Sequence, residues 1–143
     1  MHSFNPYLHF MGNTEQAMTF YKNVFGGEFT IFHRFKDVPG GEKMPAEEGE
    51  QLIHVSLAIN KTTTLMATDT LATMEQHVTA GNNFHIHIQA ESEAEADRIF
   101  TELSIGGKVD MPMNKTFFGA YFGMCQDKFG IYWMINFTNT KTL

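Results

Sequence analysis

Apolar residues at Ala17, Phe20, Tyr21, Val24 and Phe25 recur at helical spacing, with Asn13 or Thr14 placed to cap the run. Gly26-Gly27 closes it, as glycine does past a helix end. Strand patterns flank this helix at Pro6–Phe10 and Glu28–Phe35. A Gly-, Pro- and Glu-rich loop from Lys36 to Glu50 follows, either a lid or a solvated connection. Strands at Gln51–Asn60 and Thr63–Thr68 then meet across a turn at Asn60-Lys61. Residues 69–82 read as a polar connector with room for a helical turn.

After the connector the pattern restarts. Phe84–Ala90 reads as a strand, and Ser92–Ser104 as a helix with Ala94, Ala96, Ile99, Phe100 and Leu103 apolar. Gly106-Gly107 ends that helix, and strands follow at Lys108–Met111, Gly119–Cys125 and Gly130–Phe137. Glu15, Phe20 and Gly26-Gly27 recur as Glu95, Phe100 and Gly106-Gly107, each displaced by 80 residues. A repeat this long, seen twice, predicts a duplicated βαβββ unit and not a solenoid. The expected fold is α+β: two tandem βαβββ modules forming a curved eight-stranded mixed sheet around a concave pocket, helices on the convex side. Module one covers about 5–69, the connector about 70–82 and module two about 83–138, within one domain spanning 1–143.

Composition narrows the function. The net charge is -6 with only ten basic residues, which argues against a phosphate-binding surface and so against nucleic acid. No basic stretch followed by an apolar run opens the chain, and no apolar run reaches the roughly 20 residues of a membrane helix. One cysteine, Cys125, precludes an intrachain disulfide and fits a reducing compartment, so a cytoplasmic protein without membrane contact is expected. Ten Met and fourteen Phe predict a plastic core, an adaptable apolar pocket, or both.

Strand alternation then selects candidate site residues. In "NFHIHIQA" His85 and His87 fall on one strand face. Three roles stay open for them: polar contacts lining a pocket, general acid/base groups, and metal ligands partnered by His54 or Asp69. His54 shares a face with Ser56 and Ala58 while Val55, Leu57 and Ile59 take the other, so His54 is expected in the cavity. Tyr132 and Met134 alternate with Ile131 and Trp133 and are expected there too. Phe10, Met66, Thr68 and Phe122 complete the expected pocket lining. His9, Asp69, Asp127 and Cys125 read as structural, the two aspartates as turn residues.

Three stretches carry a resemblance: "NPYLHFMGNTEQAMTFYKNVFGGE" at 5–28, "HVSLAINKTTTLMATD" at 54–69, and the segment 95–136. The last holds GG-x-V-x-M-P, T-F-F-G-x-x-F-G and D-x-F-G-x-x-W-M in order. The sequence resembles the vicinal oxygen chelate superfamily of glyoxalases, extradiol dioxygenases and bleomycin- and fosfomycin-resistance proteins. Within it the wording is similar to the PhnB-like branch, whose members often carry the label 3-demethylubiquinone-9 3-methyltransferase. The resemblance implies a homodimer and a divalent metal in the concave sheet, with ligand positions falling at Pro6, Met66, His85 and Met134. Proline and methionine do not ligate a hard or borderline divalent ion, which leaves His85 as the one implied metal ligand. No cofactor is therefore expected, a divalent metal being the exception left open. The leading expectation is a small-molecule-binding protein in the manner of a resistance or sequestration protein. The alternative is a metal-dependent lyase, isomerase or dioxygenase using His85 with noncanonical partners. Methyl transfer finds no nucleotide-binding loop, since Gly26-Gly27 follows a helix and does not precede one.

Overall fold

A computed structural model describes residues 1–139. The chain divides into two compact units, Met1–Thr79 and a second beginning at Ala80. The first carries β1 (Tyr7–Phe10), α1 (Thr14–Phe25), β2 (Glu28–Arg34), α2 (Ala46–Gly49), β3 (Leu52–Ala58) and β4 (Thr64–Asp69). The second carries β5 (Ile86–Gln89), α3 (Glu93–Ser104), β6 (Lys108–Lys115), β7 (Ala120–Gln126) and β8 (Tyr132–Thr138). Each is a βαβββ module apart from the short α2 turn. The eight strands form two four-stranded mixed sheets, ordered β1-β4-β3-β2 and β5-β8-β7-β6. In both, the first strand pairs parallel to the last and the remaining pairs are antiparallel.

The periodicity explains the layers. Helix α1 buries Ala17, Met18, Tyr21 and Val24 against β3 and β4. Those strands answer with Val55, Leu57, Leu65 and Ala67, all buried. Helix α3 buries Ala96, Ile99 and Leu103 beside β7 and β8, where Cys125, Trp133 and Ile135 are buried. Tyr21, Met18 and Trp133 are the largest fully buried side chains, each worth about 1.5–3 kcal/mol of apolar burial. Asp127 closes the β7–β8 turn: its Oδ1 accepts from the Phe129 and Ile131 N–H groups, and its Oδ2 accepts from Trp133 Nε1 at 2.8 Å.

The two helices are capped differently. Ser92 accepts from the Glu95 N–H at 3.0 Å. Asn13 occupies the N-cap of α1 without a side-chain cap bond. The acceptor there is Asp69 from the end of β4. Its Oδ1 takes the Gly12 and Thr14 N–H groups at 2.9 and 3.1 Å, and its Oδ2 takes the Leu52 N–H at 2.8 Å. Glu15, the counterpart of Glu95, instead forks onto Arg34 through 2.8 and 3.0 Å bonds.

The double glycines do more than stop helices. Gly26 sits at φ 78°, ψ -153°, a region essentially closed to side chains. Gly27 lies where an added Cβ would come within 2.2 Å of the Ala58 carbonyl oxygen. Gly107 repeats this against the Gln126 oxygen at 2.1 Å. The second glycine of each pair lets the next strand enter the sheet beside its neighbour.

Two elements depart from expectation. Strand β6 runs on from Met111 to Lys115 through Pro112. It is an edge strand, where proline's missing donor costs no ladder bond, and the register shifts on both sides of Met111 absorb the irregularity. The 36–50 segment is compact: 3-10 turns at Phe35–Asp37 and Gly41–Lys43 precede α2. Gly41 packs against its backbone so closely that a Cβ would meet the Phe35 oxygen at 1.9 Å. Lys36 pairs with Glu50 at 2.6 Å.

Candidate functional site

Each sheet has one face against its helix and one turned away. In module one the turned-away face carries Tyr7 and His9 of β1, Met66 and Thr68 of β4, His54 and Ser56 of β3, and His33 of β2. The register proves this: Tyr7 pairs with Met66, His9 with Thr68, Ser56 with Met66 and His33 with His54. Strand order places Tyr7 and His54 on either side of β4.

These residues form a hydrogen-bonded chain. The Tyr7 hydroxyl is 2.8 Å from His54 Nδ1, and His54 Nε2 is 2.7 Å from Ser56 Oγ. Tyr7 remains 41% exposed, whereas Ser56 is buried at the other end. The Tyr7 ring also lies 5.4 Å from the rings of both His9 and His54. Thr68 donates its hydroxyl to the Ile53 carbonyl at 2.7 Å.

Burial pushes the His54 imidazole below the ordinary histidine value of about 6.5, and the neighbouring His33 pushes it the same way. Burial pushes the Tyr7 phenol up. Near neutral pH the chain is therefore an uncharged phenol, imidazole and hydroxyl. A depressed histidine binds fewer protons folded than unfolded, so the fold loses stability as pH falls below about 6.5. His54 is expected to titrate below that value by NMR, and Tyr7→Phe to shift its Nδ1 resonance. An unperturbed His54 titration would contradict the desolvated environment.

In module two the corresponding face carries His87 and Gln89 of β5, Tyr132, Met134 and Asn136 of β8, and Phe122 and Met124 of β7. His85 lies just before β5, half-buried, with its ring 5.5 Å from that of Tyr132 in an edge arrangement. Asn136 donates to Gln89 Oε1 at 2.7 Å.

The expected pocket residues thus divide into two groups. His54, Met66 and Thr68 come together in module one; His87, Phe122, Tyr132 and Met134 share the face in module two, with His85 beside Tyr132 just before β5. Phe10 is a correction: it is buried on the helix side with Leu8, since β1 alternates and Tyr7 and His9 take the other side. The same alternation displaces Pro6. Its carbonyl accepts from the Met66 N–H at 3.1 Å, but the residue paired with Met66 is Tyr7, as His87 is paired with Met134. By the 80-residue displacement His85 corresponds to Asn5, and Pro6 to Ile86. Tyr7, His9, His33 and Ser56 were not singled out as pocket residues from sequence. Tyr7 had a usable signal, because counting back 80 residues from His87 lands on it.

The donor set does not suit a divalent cation. Both nitrogens of His54 are engaged within the chain, Met66 and Met134 offer thioethers, and the Asp69 carboxylate is spent on backbone N–H groups. Among the described residues no three His, Cys, Asp or Glu side chains are grouped to hold a metal ion. No helix among them is long and apolar enough to cross a membrane.

Paired βαβββ modules with turned-away sheet faces define the glyoxalase/bleomycin resistance/dioxygenase class of fold. A glyoxalase-related enzyme from Fulvimarina pelagi shares it, at 17% identity over 96% of this chain and 89% of that one, TM-score 0.62. Residues 2–136 match the family described as 3-demethylubiquinone-9 3-methyltransferase, and the chain belongs to that PhnB-like family. Protein PA1353 from Pseudomonas aeruginosa is 34% identical, with 95% of this chain and 97% of that one covered and a TM-score of 0.83. A Bacillus cereus structure titled putative 3-demethylubiquinone-9 3-methyltransferase, PhnB protein, is 27% identical over 94% and 98%, TM-score 0.77.

Proposed function

We propose that this protein binds a small, partly apolar molecule bearing an oxygen that hydrogen-bonds to Tyr7. The observation that carries the reading is the uncharged chain from the part-exposed Tyr7 through His54 to buried Ser56. A neutral imidazole bonded at both nitrogens can reverse its two hydrogen bonds. Tyr7 then offers the ligand either a donor or an acceptor without moving. Met66, paired with Tyr7 in the sheet, supplies adaptable apolar contact beside it. Wall residues of this kind around a few fixed polar groups are what small-molecule sites use.

A ligand-observed NMR screen of small oxygenated aromatics, followed by chemical-shift mapping, tests this. Hits are expected to shift Tyr7, His9, His54 and Thr68 and to weaken about tenfold in Tyr7→Phe, the cost of one hydrogen bond of about 1.4 kcal/mol. Hits that map to the helical surfaces, or bind Tyr7→Phe unchanged, would sink the reading.

A further inference from the structure

The face of module two turned away from α3 carries a row that the binding reading does not use. His87 of β5 pairs with Met134 of β8, Met134 with Met124 of β7, and Met124 with Met111 of β6. Paired residues point to one side of a regular sheet, so His87, Met134 and Met124 lie side by side across β5, β8 and β7, and Met111 is paired with Met124 between two register shifts of β6. Neighbouring members stand about 4.8 Å apart along the row. Each methionine has three rotatable bonds, enough for adjacent sulfurs to converge on one point above the sheet. His87 is exposed, Met124 and Met134 are half-buried, and Met111 is 38% exposed, so the row is both reachable and sheltered.

The duplication supplies an internal comparison. The matching row of module one reads Tyr7, Met66, Ser56 and Ile31, with a single thioether. The methionine row is thus particular to module two and is not demanded by the fold.

We infer that His87, Met134 and Met124, with Met111 at the end of the row, form a binding site for a soft monovalent metal ion, Cu(I) in chemical class. Thioether sulfur is a soft, uncharged ligand that selects Cu(I), and imidazole is a good nitrogen partner for it. A hard or borderline divalent ion would find neither the carboxylates nor the charge it needs there. Cys125 lies in the same strand as Met124, but alternation sends it to the buried helix side, where it does not join the row. The ion would be bound without any redox step.

The test uses the full chain, titrated without oxygen with Cu(I) against the competing chelator bicinchoninate, and separately with Ag(I) as a redox-inert probe. One ion per chain is expected, with Zn(II) and Mn(II) unable to displace it. Met134→Leu and Met124→Leu keep side-chain volume and so the fold. Each is expected to weaken Ag(I) binding by about 100-fold, beyond the effect of most outer-sphere partners. His87→Gln is expected to weaken it at least tenfold, while Met66→Leu in module one leaves it unchanged. Ag(I) binding that survives the Met124→Leu/Met134→Leu double variant, that disappears in Cys125→Ser, or that is never detected would overturn the site.

Discussion

Asp69→Ala is expected to unfold the first module or leave it barely stable at room temperature. The carboxylate is 4% exposed and accepts three backbone N–H groups, two opening α1 and one opening β3. Removing it orphans the buried Thr14 and Leu52 donors and the part-buried Gly12 donor. At about 1–3 kcal/mol for each of the two buried donors, the loss is about 2–6 kcal/mol, against a typical domain stability of about 5–15 kcal/mol. Asp69→Asn keeps one acceptor but turns an NH2 toward an N–H, so an intermediate loss is expected. Urea denaturation followed by circular dichroism measures both. An Asp69→Ala protein within about 1 kcal/mol of wild type would show that the helix start is satisfied by other groups.

Gly27→Ala comes second, and its contrast with Gly26→Ala carries the information. Gly26 has nothing within 4 Å of its would-be Cβ, so alanine there pays only for its backbone region, about 1–3 kcal/mol. Gly27 has φ 86° and would drive a Cβ to 2.2 Å from the Ala58 oxygen. Backbone cannot step aside as a flexible side chain can, so overpacking of about 1–3 kcal/mol adds to the strain, for about 2–6 kcal/mol in all. Gly107→Ala is expected to repeat only the close-approach part of the effect, about 1–3 kcal/mol, in module two through the Gln126 oxygen, since Gly107 does not hold a positive φ. Equal midpoints in urea for Gly26→Ala and Gly27→Ala would mean that close approach is not what the second glycine serves.

Much of the architecture was readable in advance because it depends on local periodicity. Helix α1 follows from the spacing of Ala17 to Phe25, and β3 from the alternation through His54, Val55 and Ser56. The duplication showed in glycines and aromatics at equal displacement. Where reading failed, the cause was contact across long sequence separation. Pro112 looks like a strand end until β6 is known to be an edge strand. Asn13 looks like a cap until Asp69, more than fifty residues away, takes that role. Phe10 looks like a pocket residue until the β1–β4 register puts it with Leu8 on the helix side.

The candidate site divides in the same way. His54 could be assigned to the turned-away face from its neighbours alone, as could the shared side of Tyr132 and Met134. Nothing local could show that Tyr7 reaches His54 over β4, or that His87, Met134, Met124 and Met111 fall into one row. By itself the sequence determined the two modules, their helices and most faces, because each is set by the period of a single segment. Only the tertiary structure decided which side chains meet, because strand order and register join residues that the chain keeps far apart.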